Sequence, residues 1–387
     1  ARWAVLLIFL AIGGLGVWQL TKLPIDAVPD ITNNQVQINT VDRRLSPVEM
    51  EKLVTYPIET ALAGIPGLET TRSISRNGFS QVSAIFSEGT DLYFARQQVG
   101  ERLTQARDTL PDGVQPQIGP VTTGLGEVVM YTVEYANPDG KGAKVVNGQP
   151  GWQSDRSYLT PEGDRLTNAV EQAGFLRTVQ DWIVRPQLRA VPGVAGVDSI
   201  GGYAKTFVVE PDPVKLSTYG ISYSELGEAL ENANLAVGAN YYNRGGEGYL
   251  VRLDARVRSV DEIKNAVAAT RGGVAITVGQ IANVESGGDL RTGAGSVNGK
   301  EAVIGTALML IGQNSRIVAQ DVSAKLDQVS RTLPPGVQVK VVLDRSKLVN
   351  ATVATVQRNL TEGAILVAVA LFLLLGNWRA ALIAVLV

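Results

Sequence analysis

Ile65-Pro66-Gly67-Leu68 returns later in the chain as Val191-Pro192-Gly193-Val194. Thr109-Leu110-Pro111-Asp112-Gly113-Val114 likewise returns as Thr332-Leu333-Pro334-Pro335-Gly336-Val337. Each member of the first pair follows an apolar pattern of helical period and precedes two strand-like runs. Each member of the second pair ends another helical pattern. The chain therefore reads as two copies of one α/β unit. Pro66 and Pro111 lie 45 residues apart, Pro192 and Pro334 142 apart, so the second copy carries about 97 extra residues. Chain-closure entropy grows slowly with loop length, which makes such an insertion tolerable.

The first copy shows the plan. Gln35 to Val41 alternates as a strand, and Ser46-Pro47-Val48-Glu49 opens a helix with a capping box and an early proline. Strands from Leu68 to Ile74 and Gln81 to Phe86 are turned at Arg76-Asn77-Gly78, a hairpin signal. A helix from about Asp91 to Leu110 presents Phe94, Val99, Leu103 and Ala106 on one face. Pro116 to Gly126 reads as irregular, and Val128 to Tyr135 begins the second copy as a strand. Asn137 to Asp164 is loop by composition and reads as a surface insertion. A helix from about Leu166 to Arg189, bent near Pro186, precedes strands Val197 to Ile200 and Lys205 to Val209. The insert then spans about Glu210 to Val303. It carries a helix capped by Ser222 and Glu225, strands around Tyr249 to Leu253 and Val274 to Val278, and a helix near Val260 to Ala269.

The two ends read differently. Trp3 to Leu20 is apolar over 18 residues, near the lower limit for crossing about 30 Å of hydrocarbon. Trp3 and Trp18 bracket it, and no small-residue cleavage site follows. Leu23-Pro24-Ile25-Asp26-Ala27-Val28-Pro29-Asp30-Ile31-Thr32 ends the segment with two prolines and two acids, so the chain is expected to enter solvent there. The start at Ala1 suggests a trimmed terminus. A helix from near Ser346 turns apolar at Gly363 and runs to Leu375, and a third apolar segment starts at Ala380. Arg2 and Arg379 fall on one side if two segments cross, which places Asp26 to about Gln357 outside the cytoplasm.

Composition narrows the chemistry. Among 387 residues there is no Cys and no His, and the formal net charge is −2. Thiolate metal sites, Ser-His-Asp triads and zinc-protease motifs are excluded. No basic field invites nucleic acid. Gly124-Leu125-Gly126 and Gly293-Ala294-Gly295 lack the strand-to-helix setting of a phosphate loop. The acids from Asp91 to Asp108, and Glu225, Glu228 and Glu231, read as solvated helix faces. Met50, Met130 and Met309 are dispersed and read as packing rather than a Cu(I) or Ag(I) site. Glu127 stands apart: it follows a flexible Gly-Leu-Gly turn and opens an apolar strand, at the expected mouth of a cleft.

Several long motifs together resemble one family. They are the hinge Leu23 to Thr32, Val54-Thr55-Tyr56-Pro57-Ile58-Glu59, Gly67-Leu68-Glu69-Thr70-Thr71-Arg72-Ser73, and Gly89-Thr90-Asp91-Leu92-Tyr93-Phe94-Ala95-Arg96. To these add Thr123-Gly124-Leu125-Gly126-Glu127, Met309-Leu310-Ile311-Gly312-Gln313-Asn314-Ser315 and Leu373 to Leu382. They look like the N-terminal third of a heavy-metal efflux pump of the resistance–nodulation–division superfamily, cobalt–zinc–cadmium branch.

The resemblance implies a membrane protein whose α+β periplasmic portion holds two ferredoxin-like βαββαβ porter subdomains, with an α/β docking subdomain inserted. The implied division is transmembrane helix 1 over 1–22, porter subdomain 1 over 23–127, and porter subdomain 2 over 128–209 and 304–345. The docking insert covers 210–303, a helix entering the membrane 346–375, and the start of transmembrane helix 3 380–387. It further implies an inner-membrane homotrimer, working with a periplasmic adaptor and an outer-membrane channel. Such a pump is a proton-driven antiporter rather than an enzyme, with no cofactor and a divalent cation (Zn, Co, Cd or Ni) as cargo.

Glu127 matches an acidic position that lines a proximal metal site in zinc-type members, where copper and silver members differ. The main metal pocket and the proton-relay carboxylates would lie beyond Val387. Asp42-Arg43-Arg44-Leu45 departs from the small residues and Gly of relatives, which puts one loop contact in doubt. A multidrug exporter of the same superfamily is the nearest rival, but aromatics are only 6% of the chain. A membrane-anchored binding or sensor module is the other.

Overall fold

The computed structural model describes residues 11–16, 18–19, 32–254, 256–289, 291, 293–375 and 379, with the backbone alone at 236–242 and 250–254. Most of the expected first membrane segment, most of the hinge and the third apolar segment lie outside the described residues.

The first unit runs β1 (Gln35–Val41), α1 (47–62), β2 (Leu68–Arg76), β3 (Phe79–Phe86), α2 (Leu92–Ala106) and β4 (Gln117–Ile118). Its sheet has the order β2-β3-β1-β4, which is the ferredoxin-like arrangement. Met50, Val54, Ile58 and Leu62, each four residues apart, form the buried stripe of α1. On α2 the buried set is Ala95, Val99, Leu103 and Ala106; Phe94, expected inside, is exposed. The smaller Ala95 takes the inner position because it, not Phe94, shares the i, i+4 row with Val99.

The second unit opens with β5 (Glu127–Tyr135). Next come three short strands, β6 (Gly151–Trp152), β7 (Tyr158–Leu159) and β8 (Arg165–Leu166), then α3 (169–189) and β9 (Val194–Ile200). The chain then departs into β10 (Lys205–Pro211), α4 (Pro213–Tyr219), α5 (Tyr223–Asn232), β11 (Ala236–Arg244), β12 (Glu247–Asp254) and α6 (Val260–Asn265). It continues through β13 (Val267–Arg271), β14 (Val274–Thr277), α7 (Val278–Ile281), β15 (Ala282–Gly288), β16 (Ser296–Val297) and β17 (Lys300–Glu301). It returns as β18 (Val303–Met309), α8 (Ser315–Ser330) and β19 (Val337–Asp344). The second sheet has the order β19-β5-β18-β9, so the two units share one topology.

Three expectations about the second unit and its insert need correction. Lys205 to Val209 is not the hairpin partner of β9: β10 leaves the sheet and pairs antiparallel with β15 over seven residues. β18 takes the inner position instead, so the insert begins after Ile200 rather than at Glu210. Gly201 and Gly202, both with positive φ, let the chain turn away there. Residues 137–164 are not merely a surface insertion. Trp152 and Tyr158 are buried against Tyr135, with ring centroids 5.0 Å from it, and the Tyr158 hydroxyl donates to the Pro335 carbonyl at 2.8 Å. Polar turn residues around two aromatics hid a small meander that closes the core. The third correction concerns residues 266–269, expected in a helix: α6 stops at Asn265, and β13 pairs with β14.

The repeated Pro-Gly steps have a common cause. Gly67 and Gly193 both sit near φ +80°, and a Cβ at Gly67 would lie 2.4 Å from Thr90 Oγ1, at Gly193 2.7 Å from Val318 Cγ2. Only glycine fits where the turn abuts the second helical segment of its unit. Both first helices also widen into a π turn, at Glu51–Thr55 and Gln180–Val184, ending two residues before Pro57 and Pro186. The wider turn accommodates a ring that would clash with the carbonyl four residues earlier.

The first helix after β19 is α9 (Arg345–Leu375). At 31 residues it is about 46 Å long at 1.5 Å per residue. It is the one helix among the described residues long and apolar enough to cross a membrane. Leu360, Leu366, Leu373 and Leu374 are each at least two-thirds exposed. Among the described residues nothing covers them, which is what a lipid-facing surface requires.

Candidate metal-facing sheet surface

Glu127 is placed by a turn and a bulge. Gly126 N–H donates to the Thr123 carbonyl at 3.0 Å, and a Cβ on Gly126 would fall 1.8 Å from Thr122 Oγ1, so the turn closes only with glycine. Gly126 then accepts from Met309 N–H at 2.7 Å, and β5 begins. The ladder to β18 pairs Val129 with Ala307 but Glu127 with Leu308, leaving Val128 as an extra residue. Residues opposite each other across a ladder share a face. By plain alternation Glu127 would join Val129, Tyr131 and Val133 beneath the helices. The bulge turns it to the other face, with Leu308, Met130 and Thr132. Re-aiming a side chain in this way is what bulges do at functional surfaces.

That face lies opposite the helix-packed core; Thr132 and Thr306 at its centre are buried, while Glu127 and Asp198 are exposed. Across it run Glu127, Met130, Thr132 and Glu134 on β5, Thr306 on β18 and Asp198 on β9, by the registers of the three strands. Glu134 is occupied: its carboxylate accepts from Gln338 Nε2 at 2.9 Å and Thr132 Oγ1 at 3.3 Å. Glu127 is exposed, and its carboxylate makes no hydrogen bond or ion pair with the described residues. Asp198, also exposed, lies two strands and one ladder step away, about 12 Å between Cα atoms at standard strand spacing. That is too far to share the inner shell of one ion, and among the described residues no group of three carboxylates is assembled. Glu127 therefore offers one oxygen-donor arm on an open surface.

The other residues singled out by sequence fall elsewhere. Met50 and Met309 are buried in the cores of the first and second units, whereas Met130 is half-buried on the open face. The three thioethers are not brought together. Gly293 does lie at a pocket of about 310 Å³, with Arg43, Arg177, Gly201, Gly202, Asp289 and Arg291 among its lining. Arg43 pairs there with Asp289, which ties the first unit to the strand returning from the insert. Arg44 pairs with Asp42 at 2.7 Å. So Asp42-Arg43-Arg44 is a built contact of this chain. The arginines lining that pocket each face a carboxylate: Arg177 meets Asp181 at 2.6 Å and Arg291 meets Glu301 at 2.8 Å. It is a neutral joint rather than an anion site.

Asp198 and Thr306 carried no sequence signal. The bulge did leave one: Val128-Val129, two consecutive buried residues, breaks the period-2 pattern of β5.

A duplicated α/β body with an insertion in its second half, continued into a long apolar helix, defines a membrane-associated protein of the transporter type. The chain belongs to the AcrB/AcrD/AcrF family, whose profile matches residues 1–387. It is 64% identical over 386 residues to the nickel-cobalt-cadmium resistance protein NccA of Alcaligenes xylosoxydans xylosoxydans, covering 100% of this chain and 36% of that protein. It is 62% identical to the nickel and cobalt resistance protein CnrA of Cupriavidus metallidurans, again over 100% of this chain and 36% of the relative. Against the cobalt-zinc-cadmium resistance protein CzcA of Cupriavidus metallidurans the identity is 49%, over 99% of this chain and 34% of the relative. A crystal structure of a heavy metal efflux pump superposes with a TM-score of 0.83 at 31% identity, covering 100% of this chain and 35% of that one. The chain thus spans about a third of the length of the relatives it matches.

Proposed function

We propose that the chain is the N-terminal part of an inner-membrane, proton-driven exporter of divalent heavy-metal cations. In this reading residues 23–127 form the first porter subdomain. Residues 128–200 and 303–344 form the second, and 201–302 the docking insert; the pairing of β10 with β15 supports starting the insert after Ile200 rather than at 210. The whole protein works as a homotrimer with a periplasmic adaptor and an outer-membrane channel.

The observation that carries the cation reading is the Glu127 carboxylate, turned onto the open sheet face by the bulge and left without a partner among the described residues. An oxygen donor suits Zn²⁺, Co²⁺, Ni²⁺ or Cd²⁺ better than Cu⁺, which favours clustered thioethers. The remaining ligands come from outside the described residues. An aromatic drug-binding face has no support on β5, where Tyr131 and Tyr135 pack into the core on either side of Val133.

The test is transport by the full-length protein in proteoliposomes under an imposed pH gradient. Co²⁺, named in all three relatives, should move against its own gradient. Glu127→Gln should slow it, and a protonophore should stop it. Movement unaffected by protonophore, or export of hydrophobic drugs in place of Co²⁺, sinks the reading.

A further inference from the structure

Glu127 lies between two backbone positions that consecutive residues of the membrane-bound connection hold. Leu125, two residues before it, has its carbonyl bound by the Arg345 guanidinium. Val129, two residues after it, pairs with Asp344 in the ladder between β5 and β19. Asp344 and Arg345 are the last residue of β19 and the first of α9. Asp344 is itself fixed. Its Oδ1 accepts from Ser346 N–H at 2.9 Å and from the Ser346 hydroxyl at 2.6 Å, while Oδ2 accepts from Ser323 Oγ at 3.3 Å. The first turn of α9 is therefore pinned to β19 and α8, and the chain is held on both sides of Glu127, at the Leu125 turn and at Val129 in β5. The other membrane-side connection ends nearby, since a Cβ at Gly124 would lie 3.7 Å from the hydroxyl of Thr32, the last residue of the proline-rich stretch.

We propose that Arg345 is a positioning residue for the cargo carboxylate: by holding the Leu125 carbonyl from the first turn of α9, it sets the direction of Glu127 and transmits movement of the membrane helix to it. This rests on the reading of Glu127 as a cation ligand. Arg345 does not touch the ion. It acts through a turn that has no slack, because Gly126 is wedged against Thr122 and held by Met309 N–H. A helix that shifts by a fraction of a turn moves Leu125 and Val129 together. Glu127 is then swung across the open face without unfolding β5.

The experiment is Co²⁺ transport by the full-length protein in proteoliposomes, with KM and kcat separated, for R345Q, R345K, E127Q and the double variant R345Q/E127Q. R358Q, which breaks an exposed pair with Glu362 at 2.8 Å on the same helix, is the control. R345Q should raise KM about tenfold and leave kcat within about twofold, the scale of losing the charge-assisted hydrogen bond to the Leu125 carbonyl. R345K keeps the charge and one donor and should fall between, at an unchanged thermal midpoint. Because Arg345 acts through Glu127, the double variant should be no worse than E127Q alone. A merely structural role would lower the thermal midpoint, and its effect would multiply with that of E127Q. Wild-type KM in both Arg345 variants beside an impaired E127Q removes the positioning role and leaves Glu127 standing. Wild-type KM in E127Q removes Glu127 as a ligand, and Arg345's role falls with it.

Discussion

The two βαββαβ units are the same fold used twice, and they differ at one connection and on one face. In the first unit β2 and β3 are joined by Asn77-Gly78 alone, a two-residue hairpin. In the second the same connection, between β9 and β18, carries residues 201–302 with a core of their own around Leu216, Ile263 and Ile281. The sheet order survives the insertion unchanged. Strand pairing here is set by the buried faces rather than by the turn. The open faces differ in chemistry. Gln35, Gln37, Asn39, Gln81 and Ser83 line the first, with Arg72 and Arg76 of β2 opposite Ser83 and Phe79, so its charges are basic. The second presents the acids Glu127, Glu134 and Asp198, with Lys340 of β19 as its one cation among the described residues of the strands. Topology is common property of both halves, and the sign of the charge on the open face is where they differ.

The largest test of that comparison is energetic. Phe86 and Tyr131 are each almost fully buried, one in each core. Truncating either to Ala should cost about 3–5 kcal/mol. If the units are separate cores, Phe86→Ala should strip hydrogen-exchange protection from β1 and β3 and spare β5. Tyr131→Ala should do the reverse. Equal loss in both sheets from either variant would show one cooperative unit.

Next in size is the functional contrast. Glu127→Gln in the full-length protein should reduce Co²⁺ transport at low concentration by roughly tenfold or more, as loss of a charged ligand does. Gln81→Ala, on the corresponding face of the first unit, should change it by less than about twofold, as exposed substitutions away from a site do. The reverse ranking would move the cargo path to the first unit. A third test removes the difference itself. Excising residues 201–302 and joining Ile200 to Val303 through Asn-Gly should leave the protected amides of β5, β18 and β9 in place. Transport should be abolished, because the insert is read as the docking element. Loss of the β5–β18 ladder would show that the insert is needed to fold the second unit.

How much of this was legible beforehand follows from which signals are local. The Pro-Gly repeats declared the duplication because each answers a local demand, a left-handed turn against a neighbouring segment. The capping boxes at Ser46 and Ser222 were equally readable, and both form. The assignment of Lys205 to Val209 to the second sheet failed because an alternating run does not say which sheet it joins. Its partner, β15, lies between about seventy and eighty residues on. The meander at 151–166 was hidden by its polar turns, although Trp152 and Tyr158 were there to be weighed. Glu127 was identified by its setting, but the direction it points depends on a bulge defined by a partner strand some 180 residues away.

The smallest effect concerns the loop that bridges the first unit to the insert. The Arg44 guanidinium donates to the Asp42 carboxylate at 2.9 Å and 2.7 Å, and the Arg44 backbone N–H adds a third bond at 3.0 Å. The side-chain hydrogen bonds from Arg44 are the main cause that holds the Asp42 carboxyl below its ordinary range, against the desolvation that raises it. A carboxylate with a depressed folded-state pKa stabilises the fold above its unfolded pKa, near 4. That contribution is lost as pH falls through the lower, folded value. Stability of the first unit should therefore be flat from pH 7 to 5 on this account and decline only below about pH 4. Asp42→Asn should remove that part of the acid dependence and leave the neutral-pH exchange rates of β5 untouched. Because Arg43 beside it pairs with Asp289, the same variant should loosen the contact to the insert, read as faster exchange at Asp289 N–H, which donates to the Ala204 carbonyl at 2.9 Å. Unchanged exchange there would mean that the Arg43–Asp289 pair holds without the Asp42–Arg44 brace, as a part-exposed ion pair worth little by itself.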